Sequence, residues 1–274
     1  VANIQQFDAA AVIARADGRI YYLCPLSGNL RFNELPGLLQ GAKTLTAAGS
    51  AALLGEVPQL SADEESNSEE LTLALDRDGN LEGELVIRPR GHFQPYWRKF
   101  KNDREAEVKN YFEQYLHSLH PNARLKSYNL ENVSSLAGDV LVRVAFSVDG
   151  YAMRSGNKQF LIFRLPWVER SAYEVGAPKR ELPLFWYVKS KETKKAVVTL
   201  PDNYQVYHIP AGMKQAAGNV SYSGTYENAE DTLSFSEEFV IDADTVSPAE
   251  YGDYKTLLEQ VARFTEDWIV LEKN

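Results

Sequence analysis

The sequence predicts a β-rich α+β protein: an antiparallel β-sandwich with two amphipathic helices, preceded by a small β-hairpin. Three observations predict it. Apolar residues recur at every second position over much of the chain. Gly, Pro, Asn or Asp interrupt those runs at short intervals. Two segments switch to a helical period instead. The expected organisation is a first unit over residues 1–60, an acidic linker or loop over 61–70, and a β-rich domain over 71–274.

The first element is a hairpin. An apolar run from Ala9 to Ala14 meets the turn Asp17-Gly18 and continues as Arg19-Ile-Tyr-Tyr-Leu-Cys24, ending at Pro25. Residues 61–70 read Ser-Ala-Asp-Glu-Glu-Ser-Asn-Ser-Glu-Glu, without one large apolar side chain, so they are expected to give nothing to a core. Leu71, Leu73 and Leu75 then alternate before the turn Asp76-Arg-Asp-Gly-Asn80, and Leu81 to Arg90 runs as a second strand. Asn102 or Asp103 opens a run in which Val108, Tyr111, Phe112, Tyr115, Leu116 and Leu119 recur at helical spacing, giving a helix near 103–119 that stops before Pro121.

Val140, Val142, Val144, Phe146 and Val148 make one continuous apolar face. Further β-rich runs lie at 160–165, 182–188, 196–200, 204–209, 220–226 and 233–241. Many strands at short spacing argue for two sheets, since each needs a covered face. Ser247-Pro-Ala-Glu250 combines an N-cap, a Pro at the first helical position and a capping-box Glu, predicting a helix near 248–264; Trp268 to Leu271 is expected as a last edge strand.

Composition narrows the function classes. The chain has 274 residues, 44% hydrophobic and 24% charged, enough for one large domain or two smaller ones. No stretch approaches the ~18 consecutive apolar residues of a membrane-spanning helix, and Val1 opens no signal-peptide pattern. With 29 basic and 38 acidic side chains the net charge is −9, which opposes nucleic acid as a partner; the basic stretch from Lys189 to Lys195 contains Glu192. One cysteine permits no internal disulfide and no multi-thiolate zinc site. No phosphate-binding Gly loop, nucleophile elbow or zinc motif occurs, and no cofactor is expected.

The stretch from Phe7 to Pro25, with Arg-Ala-Asp-Gly-Arg at its centre and Tyr-Tyr-Leu-Cys-Pro at its end, resembles the latter part of bacterial transglutaminase-like domains, which read roughly Phe-Asn-His-Val-Ile-Val, a Gly turn, then Tyr-Leu-Asp-Pro-Thr. The remainder resembles the β-rich region of unassigned function that follows such domains in large, usually exported bacterial proteins. Its marks are Arg180-Glu-Leu-Pro183, Leu200-Pro-Asp-Asn-Tyr204 leading to Ile209-Pro210, and the ending Val246-Ser-Pro-Ala-Glu-Tyr251 to Ile269-Val-Leu-Glu-Lys273. Enzymes of that family use a Cys nucleophile, a His that activates it and an Asp that orients the His. Aligned on the Gly18 turn, the His position is Ala9 and the Asp position is Cys24, and the nucleophile would precede Val1. An alanine accepts no proton, and a thiol does not hold an imidazolium as a carboxylate does. The resemblance therefore implies a fold remnant without the activity.

Other candidates carry bland alternatives. Cys24 lies between Leu23 and Pro25, with no base beside it. Glu113, His117 and His120 stand at i, i+4, i+7, where a helix would converge them on a cation, but the α conformation is disfavoured directly before Pro121. Tyr96 and Trp97, in a mixed polar context, are the candidate ligand-binding residues, against the alternative that Trp97 covers the start of the next helix. Trp186, in the run Leu184 to Val188, reads as core, and the carboxylate neighbours Glu237-Glu238 and Asp63-Glu64-Glu65 read as solvated. The expected function is a non-catalytic structural or binding module, periplasmic, cell-envelope or secreted. Its expected partner is the upstream domain of a longer parent or another envelope protein. Alternatives are a fragment of a cysteine-dependent peptidase or transglutaminase, and a carbohydrate-binding envelope domain.

Overall fold

The computed structural model describes residues 7, 9–25, 27–48, 51–157 and 159–274. Residues 1–6 of the expected first unit, and Asp8 within the stretch that carries the resemblance, lie outside the described residues.

Asp17 and Gly18, with φ of 51° and 72°, form the turn between β1 (Val12–Ala16) and β2 (Arg19–Leu23), an antiparallel pair as expected. A second hairpin, β3 (Lys43–Ala48) with β4 (Ala51–Glu56), follows. β5 (Ser66–Leu75) returns as β6 (Leu81–Pro89) through a turn in which Asp76 Oδ1 accepts the N–H groups of Asp78 and Asn80, both at 2.8 Å. Then come α1 (Gln94–Arg98), α2 (Glu105–Leu119), β7 (Ala123–Glu131), β8 (Leu141–Val148), β9 (Met153–Ser155) and β10 (Phe160–Phe163). β11 (Leu184–Phe185), β12 (Ser190–Thr199), β13 (Tyr204–His208), β14 (Met213–Ala217), β15 (Val220–Ala229) and β16 (Thr232–Ile241) follow. β17 (Thr245–Val246), α3 (Tyr251–Thr265) and β18 (Ile269–Lys273) complete the chain.

Eight strands form one sheet in the order β14-β15-β16-β12-β5-β6-β8-β7. Its end strands do not pair with each other among the described residues, so it is open rather than a closed barrel. It is also mixed, which corrects the expectation of a purely antiparallel arrangement: β5 and β12 run parallel, with Glu69 opposite Lys194 and Leu71 opposite Ala196. A hairpin forces antiparallel pairing, whereas the long connection between these two strands permits either direction. A four-stranded sheet, β13-β18-β10-β9, shares its core. β18 lies inside that sheet, between β13 and β10, and not at its edge as expected; Ile269 and Leu271 are buried there.

The acidic stretch also departs from expectation. Ser66 to Glu70 belong to β5, and Ala62 and Glu65 are buried. Parallel pairing sets Glu69 beside Lys194, 3.1 Å apart, and Lys191 reaches Asp63 at 3.2 Å, so the acidic and basic runs of the sequence meet across two strands, while Glu70 pairs with Arg88 of β6 at 2.7 Å. Of the run at 182–188 only Leu184–Phe185 pairs, with β17.

The core lies on one face of the large sheet. Val140, Val142, Val144, Phe146 and Val148 are all buried, as the alternation predicts. Leu73, Gly83 and Phe146 share one row across β5, β6 and β8. A Cβ at Gly83 would meet the Phe146 ring at 2.5 Å and Leu73 at 2.7 Å, so only glycine lets the ring lie across β6. α2 buries Val108, Phe112 and Leu116, and the Phe112 ring stacks 4.9 Å from Tyr128 of β7. α3 buries Tyr251, Tyr254, Leu257, Leu258, Val261 and Phe264, with Phe264 5.9 Å from both Tyr222 and Tyr226 of β15. The Ser247–Glu250 pair forms, Ser247 Oγ donating to the carboxylate at 2.7 Å, but it closes a turn just ahead of the helix.

Candidate functional site

The two positions that the resemblance marks as degenerate lie at the first hairpin. Ala9 precedes β1 and Cys24 follows β2; both are half-buried, and the Cys24 thiol is free. The four histidines are engaged or placed elsewhere. His92 is held by Glu65, His208 Nε2 stands 3.6 Å from Asp267, His120 Nδ1 accepts the Asn122 N–H, and His117 is exposed on α2.

Nor does α2 assemble Glu113, His117 and His120. His120 is the C-cap, with extended backbone at φ −158° and ψ 137°, so it leaves the helical face before Pro121. Glu113 pairs with Lys109 at 3.6 Å. Among the described residues no three His, Cys, Asp or Glu side chains gather as metal ligands.

Tyr96 and Trp97 part company. Both lie on α1, where one residue of rotation turns a side chain by about 100°. Trp97 is buried, its ring parallel to Phe112 at 6.3 Å and edge-on to Tyr111 at 6.2 Å, which removes it from the surface. Tyr96 is 49% exposed, and its hydroxyl lies 2.7 Å from that of Tyr111 on α2. Burial pushes the Tyr111 hydroxyl well above its usual range, and the Tyr96 contact adds to that, so it stays neutral. Tyr115, one turn further along α2, stacks on Trp167 at 5.2 Å and 8°. Trp167 holds a left-handed φ of 54°, and its carbonyl accepts a hydrogen bond from Lys194 Nζ. Trp186, read as core from its apolar run, is half-buried: it meets Tyr254 edge-on at 5.4 Å and packs against the core from outside, while Phe185 and Tyr187 beside it are exposed.

Beyond the apolar rows, the core face of the large sheet becomes charged. Glu69, Lys194 and Glu237 occupy one row across β5, β12 and β16. Lys194 Nζ lies 3.1 Å from Glu69, and Arg170 reaches Glu237 at 2.9 Å and Glu192 at 3.4 Å. Tyr222 donates its hydroxyl to Glu237 at 2.8 Å. Burial works against the Arg170 charge, but Glu237 and Glu192 outweigh it and raise the guanidinium above its usual range. Burial and the same carboxylate hold Tyr222 protonated. Each charge here meets an opposite one, the arrangement of a structural ion network. The sequence neighbours Glu237 and Glu238 point to opposite faces, Glu238 pairing outward with Lys191 at 2.9 Å.

A second polar junction ties the first sixty residues to the sheet. The Glu65 carboxylate accepts the His92 N–H and a hydrogen bond from Gln40 Nε2, and lies against His92 Nδ1, all at 2.6 Å. Burial pushes this carboxyl up, but the His92 and Gln40 contacts prevail and hold it below the usual carboxylate range. Arg98, fully buried, donates to the carbonyls of Asn132 at 2.7 Å and Gly138 at 2.9 Å; Arg31 binds the same Gly138 carbonyl and pairs with Asp139 at 2.7 Å. Glu65 and Glu237, read from the sequence as solvated carboxylates, are both buried, and Arg98 drew no reading there, because no local pattern separates one buried charged residue from its neighbours.

Residues 159–271 match the sequence profile of a domain of unknown function with a solved structure, DUF3858. No curated protein matches the chain. Among solved structures, a Parabacteroides distasonis protein described as a "putative protease" is 13% identical, over 46% of this chain and 28% of that one, with a TM-score of 0.37. The chain thus spans less than a third of that protein's length, and a likeness at this level carries no weight for fold or activity.

Proposed function

We propose that this chain is a non-catalytic structural or binding module, the β-rich C-terminal portion of an exported bacterial transglutaminase-like protein. On this reading the β1–β2 hairpin is the remnant of a degenerate catalytic domain. The four-stranded sheet, α2 and α3 lie over the buried face of the larger sheet as the second layer of a sandwich. The observation that carries the reading is the pair Ala9 and Cys24 at the positions where such an enzyme needs its base and its orienting carboxylate. The profile match over residues 159–271 supports a β-rich module of unassigned activity. The module works outside the cytoplasm, in the periplasm, the envelope or the medium, and its partner is the upstream domain of its parent or another envelope protein.

Loss of a triad base typically costs several orders of magnitude in rate, so the chain is expected to incorporate no amine into glutamine and to cleave no peptide. Both reactions are measured with wild type and Cys24→Ser. Activity in the wild type that disappears in Cys24→Ser would replace this reading with that of a cysteine-dependent enzyme fragment.

A further inference from the structure

Lys99 follows α1 on the surface, and its ammonium is held by rings. Nζ lies 3.8 Å from the centroid of Tyr96, 4.9 Å from Phe100 and 5.1 Å from Tyr111. Among the described residues no carboxylate forms an ion pair with it. The rings are inclined to one another, Tyr96 to Tyr111 at 62° and Phe100 to Tyr111 at 56°, so together they make a concave wall and not a flat platform.

The wall is preorganised. Phe100 is buried, Tyr111 packs against Trp97, Phe100 and Phe112, and the contact between the Tyr96 and Tyr111 hydroxyls fixes the outer ring. Tyr96 and Lys99 are exposed, so the open side faces solvent. Aromatic faces carry negative potential, and several inclined around one point select an ammonium over a neutral group.

We infer that Tyr96, Phe100 and Tyr111 form a cation-binding cage, occupied here by the chain's own Lys99, that takes a lysine side chain presented by a partner protein when Lys99 moves aside. The resident group identifies the guest: an ammonium on a straight methylene stem already fits. The net charge of −9 favours the approach of a basic partner surface. The inference deepens the binding reading proposed above and rests on it for its biological sense, while the geometry stands on the three rings.

The test is binding of N-acetyl-lysine methylamide to the full chain, followed by NMR, for wild type, Lys99→Ala and Lys99→Ala/Tyr96→Leu. Tetramethylammonium and N-acetyl-norleucine methylamide serve as comparison probes. Removing the resident ammonium is expected to tighten lysine binding about fivefold, the worth of an exposed cation–π contact, and the double variant is expected to lose the gain. Lys99→Ala/Tyr96→Phe, which keeps the ring, is expected to retain it. Equal binding by wild type and Lys99→Ala, or equal binding of the uncharged norleucine probe, overturns the cage. Tighter binding of tetramethylammonium than of the lysine probe overturns the assignment of a lysine guest. Cys24-dependent amide chemistry would overturn the non-catalytic reading and leave these binding results unchanged.

Discussion

Glu69 of β5 and Lys194 of β12 face each other across the parallel pairing in the large sheet, their charged atoms 3.1 Å apart on the face that elsewhere holds the apolar core. One lies in an acidic run and the other in a basic run, more than a hundred residues apart. Their contact is where two segments that look unfit for a core become part of one.

Because both side chains are largely buried, removing one leaves the other's charge without its partner. Lys194→Met is expected to destabilise by about 2–4 kcal/mol, and Glu69→Leu/Lys194→Met by much less than the sum of its two single variants. Urea unfolding of the four proteins measures the coupling; additive losses would show that the pair is solvated in solution.

Glu65 gives the fold an acid sensitivity. Its folded-state pKa lies below the unfolded value of about 4.3, so its contribution is complete above that value and is lost as pH falls through the folded one. Glu34 nearby is shifted the other way, raised first by burial, and so opposes this trend. Wild type is therefore expected to exceed Glu65→Gln in stability by about 2–3 kcal/mol at pH 7, with the gap closing below about pH 4. Denaturant melts at pH 3, 5 and 7 check it, and a gap independent of pH would mean that the carboxylate is not charged in the folded protein.

Local chemistry made much of this architecture legible. Asp17-Gly18 and Asp76 to Asn80 specified their turns through residues that tolerate or build them, and the alternation from Val140 to Val148 specified a buried face. Pairing between distant strands leaves no such trace. β5 beside β12 joins two charge patterns that each look solvated alone, and β18 looks like an edge strand until β13 and β10 are placed on either side of it. β7 escaped notice because its register shifts between Leu125 and Ser127, which breaks the period of two. At the candidate site, Tyr96 and Lys99 share a helical face by their spacing of three, whereas Tyr111 joins them only because α2 packs back against α1.

Phe146 and Gly83 form a complementary pair. Phe146→Ala is expected to cost about 3–5 kcal/mol, since the ring is fully buried and its removal leaves a cavity against Trp167, which it now meets edge-on at 5.3 Å. Gly83→Ala is expected to cost about 1–3 kcal/mol by the opposite route, driving a methyl into the same ring. In Gly83→Ala/Phe146→Leu the smaller side chain is expected to recover part of the Gly83→Ala loss, which denaturant titration of the set measures. Strict additivity would place the two effects in separate parts of the core.

The C-terminal helix tests whether the fold is one cooperative unit. α3 is fifteen residues long, marginal as an isolated helix in water, yet seven of its residues are buried. Phe264 reaches Tyr222, Tyr226 and Phe235; Tyr254 meets Trp186; and Tyr251 donates its hydroxyl to the Ala177 carbonyl at 2.8 Å. β18 follows at once and lies between β13 and β10, so loss of the C-terminus removes an interior strand together with the helix. Truncation before Ser247 would expose the aromatic rings of β15 and β16 and leave β13 without its partner strand. A large fall in melting temperature or insolubility is expected, whereas a variant lacking only Asn274, which lies beyond β18, should melt close to the full chain. An unchanged melting temperature in the truncation at Ser247 would mean that helix and strand are appended to the core rather than part of it.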